Sequence, residues 1–296
     1  MQEFSFEATG TKWGILVDED VPEGLFAELV TEAARFESLY SRFKDDSIIG
    51  RINAVGKLGE EQRVEVSSEL GEMLKFGKEL QELTKGAFDL NVVGLLEGYG
   101  YDASYAFELK KDLIEKERGS WNVEELYAQI FLWTKGYVRL DLGAFGKGRL
   151  IDKLADRLWE RGIRHYLVDG GRDFRGTVKR DDSAWRIALE HPFDANLAIG
   201  EFELKNCALA CSGISQRKVK EFHHFMDLEK RAPMSQPVGV FVSAKNAMIA
   251  DGVGTAIAVT RGVCVPKLRD KFEFDYTLVR EGGGLVEEGF RKYLYI

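Results

Sequence analysis

The stretch RLDLGAFGKGRLIDKLADRL, Arg139 to Leu158, constrains this chain more than any other. Val138, Leu140 and Leu142 alternate with polar residues, as in a half-buried strand. Gly143, Gly146 and Gly148 follow, and Leu150, Ile151, Leu154 and Leu158 then recur at helical spacing. The pattern predicts strand, glycine turn and helix, with Asp141 before the turn and Lys147 within it. Two familiar nucleotide turns are excluded. A P-loop needs four residues before its Gly-Lys-Ser/Thr end, whereas two separate Gly143 from Gly146 and Gly148 stands where the hydroxyl belongs. A dinucleotide turn would need glycine where Ile151 stands. What survives is close backbone approach at the glycines, free N–H groups at a helix N-terminus and one lysine, which together suit a phosphate. A plain tight turn with a solvated lysine uses the same residues.

Charge and composition exclude some partners. Lys plus Arg number 41 against 49 Asp plus Glu, a net charge of −8, so the basic footprint of a nucleic-acid binder is missing. Binding a polyanion then requires a local cation, from side chains or a metal. MQEFSFEATGTKW has no basic segment followed by an apolar run, and no apolar stretch approaches the roughly 18 residues of a membrane span. A cytoplasmic protein without a membrane span is expected. The three cysteines, Cys207, Cys211 and Cys264, lack zinc spacing, and Cys207 and Cys211 alternate with apolar residues as core positions do.

The remaining pattern predicts an α+β fold with mostly antiparallel sheets and packed helices. EFSFEA and TKWGILV read as strands around Thr9-Gly10. Leu25, Leu29, Ala33, Phe36 and Tyr40 form a helical stripe, and a second helix runs from an N-cap at Ser67 to Gly86. Residues 102–136 read as a charged helical insertion. WRIALEH, AIGEFEL, ALACSG and PVGVFVSA read as strands, NAMIADGVGTAIAV as a helix, and FDYTLVREGGGLVEEGF as a hairpin. Many connections are too short for parallel crossovers. No Pro/Ser linker divides the chain, so one compact unit over 1–296 is expected.

Two further segments carry chemistry. In IADGVGTAI, Asp251 and Thr255 are i and i+4 on a helix and share a face, and one carboxylate with one hydroxyl suits a hard cation such as Mg²⁺. Asp251 capping a neighbouring loop is the competing explanation. In EFHHFMD, one histidine of the pair is a credible base near neutral pH, although surface histidines give the same pattern. Gly170-Gly171 with Arg172 and Asp173 reads equally as a strand-end turn.

Taken in order, these pieces resemble the FAD:protein FMN transferases, the ApbE family, from about Thr9 to Thr255. TGT (Thr9 to Thr11) is similar to the family's Met-Gly-Thr turn. Ser41, Phe43, Ser47 and Asn53 follow its segment of serines, an aromatic and a terminal Asn. Gly86 to Asp89 matches Gly-Ala-Phe-Asp, LDLGAFGKG its Asp-Leu-Gly-x-x-x-Lys-Gly signature, and VDGGRDFRG its double-glycine strand end. CSG stands where Thr-Ser-Gly is frequent, and ADGVGT resembles Ala-Asp-x-x-x-Thr. Three departures stand out: Thr9 replaces Met, Asp227 is followed by Leu-Glu-Lys-Arg instead of Pro-x-Thr-Gly, and Gly254 stands where some members carry an acid.

The resemblance implies Mg²⁺-dependent transfer of the FMN half of FAD to a Ser or Thr hydroxyl of an acceptor flavoprotein bearing a flavinylation motif, with release of AMP. It implies FAD contacts at Thr9, Phe43, Ala87, Phe88, Asp89, Asp141, Lys147 and Phe225. It places the cation on Asp251, Thr255 and the carbonyl of Ala144, and His224 as the base. An FAD pyrophosphate hydrolase and a non-catalytic FAD-binding protein would keep the same FAD site.

Overall fold

The computed structural model describes residues 1–102, 108–213, 225–236, 238–282 and 284–295. The chain opens with a hairpin, β1 (Gln2–Ala8) and β2 (Thr11–Val17), in which Trp13, Ile15 and Val17 alternate inward. Thr9 and Gly10 close it with φ of 50° and 72°, the pair of positive values that a tight two-residue hairpin turn requires. Helix α1 (Leu25–Tyr40) buries the predicted stripe of Leu25, Leu29, Ala33, Phe36 and Tyr40.

Next come α2 (Ile48–Leu58), β3 (Gln62–Val66) and α3 (Ser68–Leu83). Serines start both helices: Ser47 Oγ accepts from Gly50 N at 2.8 Å and Ser67 Oγ from Leu70 N at 3.2 Å. Gly86, at φ 83°, ends α3 by donating its N–H to Gln81 O at 2.8 Å, as expected of a stop glycine. Short helices α4 (Val93–Gly98) and α5 (Lys111–Glu115) precede β4 (Ser120–Leu126) and β5 (Gln129–Lys135).

The last two strands correct the expected helical insertion at 102–136. Trp121, Leu132 and Thr134 point inward and charged residues outward, a period of two that the run of acidic and basic residues hides. The connecting Tyr127 and Ala128 both have positive φ, 50° and 64°, without the Gly or Asn that would mark such a turn in sequence.

The second half contains α6 (Gly146–Glu160), β6 (Tyr166–Asp169), β7 (Phe174–Gly176), β8 (Trp185–His191), β9 (Asp194–Leu204) and β10 (Cys207–Ser212). Two-residue strands β11 (Met226–Asp227) and β12 (Ala232–Pro233) follow. Then come β13 (Val238–Ala244), α7 (Ala247–Thr260), α8 (Val265–Arg269), β14 (Phe274–Arg280) and β15 (Leu285–Glu288).

Contacts group the chain into two compact units. The larger comprises Met1–Glu37, Gly143–Gln216 and Gln236–Ile296. Its sheet has the order β1-β2-β6-β7-β10-β13-β14-β15, and every neighbouring pair is antiparallel. Helices α6 and α7 pack together and against β6, β7, β10 and β13. Leu167, Leu209, Phe241 and Val279 of the sheet pack in one cluster with Trp185, Leu189, Phe202 and Leu204 of the β8–β9 hairpin, and Cys207 and Cys211 border it. Both cysteines are free and serve as packing; burial pushes the Cys211 thiol up to about 12.

The smaller unit comprises Ser38–Leu142 and Arg217–Ser235. Its antiparallel sheet has the order β3-β5-β4, with α3 packed against β4 and β5. Leu95 and Leu96 of α4 pack with Met226 and Leu228. The fold is α+β with antiparallel sheets, as expected. No helix among the described residues is long and apolar enough to cross a membrane.

Candidate functional site

The segment before the glycine turn is extended but joins no sheet, which corrects the strand expected at Val138–Leu142. Its polar groups are met by side chains and loops of the smaller unit. Leu140 N donates to Asn53 Oδ1 at 2.6 Å, and Asn53 Nδ2 donates back to Leu140 O at 2.9 Å. Arg139 N donates to Asn91 Oδ1 at 2.8 Å, and Asp141 N to Leu90 O at 2.9 Å. Two buried amides therefore do the work of a neighbouring strand. Asn91 escaped sequence reasoning, since an asparagine in a glycine-rich loop looks like any turn residue.

Beyond the turn, α6 begins at Gly146 with no side-chain cap of its own at Phe145. One of its first amides has a partner from α7: Gly148 N donates to Asp251 Oδ2 at 3.1 Å. Gly148 is required by contact, because a Cβ there would lie 2.3 Å from Ala247 O. Asp251 is buried, and Thr255, one turn further along α7, donates its hydroxyl to Ala144 O at 3.2 Å. The three residues expected around a cation are thus gathered in the larger unit. A carboxylate, a hydroxyl and a carbonyl form an all-oxygen donor set with one charge, the kind a hard divalent cation accepts while keeping other positions for water or phosphate. No group of three or more His, Cys, Asp and Glu is assembled among the described residues.

Lys147 points its ammonium to the carboxylate of Asp173. Asp173 is buried, and its second oxygen accepts from Cys211 N at 3.0 Å, which ties the lysine to β10. Gly170 N bonds to Asp173 O at 2.8 Å, closing the double-glycine turn. Asp169 Oδ1 accepts from Gly171 N at 2.8 Å and Arg172 N at 2.9 Å; burial nevertheless holds its carboxyl above the ordinary range. Thr9 donates its N–H to Glu37 at 2.9 Å, while its buried hydroxyl has no hydrogen-bond partner among the described residues.

In the smaller unit, the Phe43 ring is 45% exposed and backed by the Arg42 guanidinium 4.0 Å from its centre. The Arg42 side chain is only 4% exposed and lies 3.5 Å from both Glu97 and Asp141. Arg42 also donates to Tyr101 O at 3.0 Å, and Arg139 pairs with Glu97 from the other side. Arg42 and Glu97 were invisible to sequence reasoning, because nothing local marks two charges that meet only in the fold.

Asp89 accepts from Asn91 N at 2.9 Å, Trp121 Nε1 at 2.8 Å and Arg118 at 3.0 Å, so it also organises its own loop. Ala87 is half-buried, and Phe88 and Phe225 are buried. The expected base, His224, lies outside the described residues.

Thus Thr9, Ala144, Lys147, Asp251 and Thr255 belong to the larger unit, and Phe43, Ala87, Phe88, Asp89, Asp141 and Phe225 to the smaller. A double-glycine strand end, a glycine-turn helix start and an acid–hydroxyl helix face are the features on which the resemblance to the flavin transferases rests, and the family is shown by comparison. The ApbE family model matches residues 9–272, and the chain belongs to that family. It is similar to the FAD:protein FMN transferase of Vibrio cholerae, 28% identical over 239 residues that cover 76% of this chain and 71% of the relative. The FAD:protein FMN transferase of Haemophilus influenzae is 25% identical over 267 residues, covering 83% of this chain and 75% of that one. Among solved structures, the ApbE protein of Thermotoga maritima superposes with a TM-score of 0.84 at 25% identity, over 100% of this chain and 99% of that one. The Vibrio cholerae flavin transferase ApbE shares the fold with a TM-score of 0.81 at 22% identity, over 99% of each chain.

Proposed function

We propose that residues 1–296 act as one ApbE-like transferase domain that moves the FMN moiety of FAD onto a Ser or Thr hydroxyl of an acceptor flavoprotein, releasing AMP. The observation that carries this reading is the meeting of Asp251, Thr255 and Ala144 O at the start of α6, in a chain of this family. In the reaction the acceptor oxygen bonds to the phosphorus of the FMN half, and the bond from that phosphorus to the oxygen bridging to AMP breaks. AMP leaves with the electron pair, and the hydroxyl proton passes to a base, for which His224 is the residue named by family resemblance.

Asp251, Thr255 and the Ala144 carbonyl would hold Mg²⁺, which when bound supplies charge neutralisation at the pyrophosphate. In the larger unit, Thr9 and Lys147 contact FAD; the buried Asp173 fixes where the Lys147 ammonium sits, and the Thr9 hydroxyl has hydrogen-bonding capacity to offer. In the smaller unit, Phe43, Ala87, Phe88, Asp89, Asp141 and Phe225 contact FAD, and the exposed Phe43 ring offers a stacking face. The acceptor carries a segment of the type Asp-Gly-Ala-Thr/Ser-Gly-Ala-Thr.

The test is AMP release from FAD and Mg²⁺ with and without such an acceptor. AMP formed only with acceptor, matched by flavin on the acceptor, is the expected result. Turnover to FMN and AMP without acceptor would identify a hydrolase, and tight FAD binding with no AMP under either condition would identify a carrier.

A further inference from the structure

Buried deep between α6 and α7 is a carboxylate that none of the chemistry above uses. Asp152 is 4% exposed and lies one turn after Gly148 on the same face of α6. Its oxygens accept from Ala247 N at 2.8 Å and Met248 N at 2.9 Å, the first two amides of α7, and from the Arg175 guanidinium at 2.9 Å. With these three donors in place, Asp152 has no call to be a ligand; it is a cap supplied by another helix. Asp251 does the same in the opposite direction, taking Gly148 N of α6.

The two helices therefore clasp each other's N-termini. The row Gly148–Asp152 on α6 faces the row Ala247–Asp251–Thr255 on α7, each residue spaced by four along its helix. Gly148 allows the backbones to meet, since its Cβ would lie 2.6 Å from Ala247 C and 2.9 Å from Met248 Cα. Three fixed points, Asp152 on Ala247, Asp251 on Gly148 and Thr255 on Ala144, leave no freedom for α7 to slide along α6.

We infer that Asp152 is a positioning residue for the cation site: by capping α7 it sets the place of Asp251 and Thr255 relative to the carbonyl of Ala144. This inference rests on the cation reading proposed above. An outer partner that orients a ligand-bearing element typically changes metal affinity by about 10–100-fold when lost, without touching the metal.

The experiment titrates Mn²⁺ into the full chain, with and without FAD, and reads free Mn²⁺ by electron paramagnetic resonance alongside the melting temperature. Asp152→Asn should weaken Mn²⁺ binding about 10–100-fold. Asp156→Asn should leave it unchanged, although Asp156 also pairs with Arg175, at 3.1 Å. If Asp152→Asn does not fold, Asp152→Glu keeps the charge but displaces the cap and should show the same loss. A lower melting temperature with wild-type Mn²⁺ affinity would overturn the inference and leave Asp152 a stability residue. No Mn²⁺ binding by the wild type, or equal binding by Asp251→Ala, would instead overturn the cation reading, and the inference with it.

Discussion

Replacing Gly148 with alanine tests the α6–α7 contact on which the site depends. The added Cβ would stand 2.3 Å from Ala247 O, and the atoms it meets are backbone, which no rotamer change can move aside. Carbon contacts are comfortable only near about 3.5 Å, so the helices must part by roughly 1 Å. Overpacking of this kind costs about 1–3 kcal/mol. Removing a helical glycine returns about 1 kcal/mol. With immobile atoms on both sides the steric cost lies at the upper end, leaving a net loss of about 1–2 kcal/mol. For a chain of this size that lowers the melting temperature by about 2–3 °C.

The same separation stretches the 3.1 Å bond from Gly148 N to Asp251 beyond hydrogen-bonding length, so Mn²⁺ affinity should fall together with stability. Calorimetric melting and the Mn²⁺ titration provide both readings. A variant that melts at or above the wild type and binds Mn²⁺ equally well would refute the claim that this contact sets the site's geometry.

Asn53→Leu removes both bonds to Leu140 and strands a buried N–H and C=O, which should cost about 2–4 kcal/mol in urea unfolding; a loss below about 1 kcal/mol would mean that water replaces the amide. Arg42→Met leaves Asp141 without this guanidinium and Glu97 with one arginine fewer, an expected loss of about 2–4 kcal/mol that changes little with added salt because the side chain is buried. A salt-sensitive or negligible loss in urea melts would contradict it. Burial holds the Asp169 carboxyl above its ordinary value, so the folded chain binds that proton more readily than the unfolded chain does. Its contribution is full below the ordinary carboxyl range and fades as pH rises through the raised value. Asp169→Asn, which keeps an acceptor for Gly171 and Arg172, should therefore gain stability relative to the wild type as pH rises over that window; parallel stability curves would exclude the effect.

What could be read in the sequence was what depends on short separations. The i, i+4 face of Asp251 and Thr255, the serine cap at Ser67 and the stripe of α1 follow from local signals, and the structure has them all. Ala144 meets Thr255 across 111 residues, and only the family resemblance joined them beforehand. The extended segment at Val138–Leu142 looked like a strand because strand periodicity reports which side chains are buried, not what satisfies the backbone; here Asn53 and Asn91 do so. The β4–β5 hairpin was misread because its exposed face is rich in charge and its turn uses Tyr127 and Ala128 instead of glycine. Asp152 did leave a trace, a carboxylate set among Leu150, Ile151 and Leu154, yet the amides it caps lie 95 and 96 residues away.

The most direct test of the account is the intact mass of an acceptor bearing the Asp-Gly-Ala-Thr/Ser-Gly-Ala-Thr segment after incubation with this protein, FAD and Mg²⁺. The account predicts a gain of one FMN unit per acceptor, abolished by EDTA and by Asp251→Ala. An acceptor of unchanged mass while FAD remains bound, or full transfer by Asp251→Ala in EDTA, would contradict it.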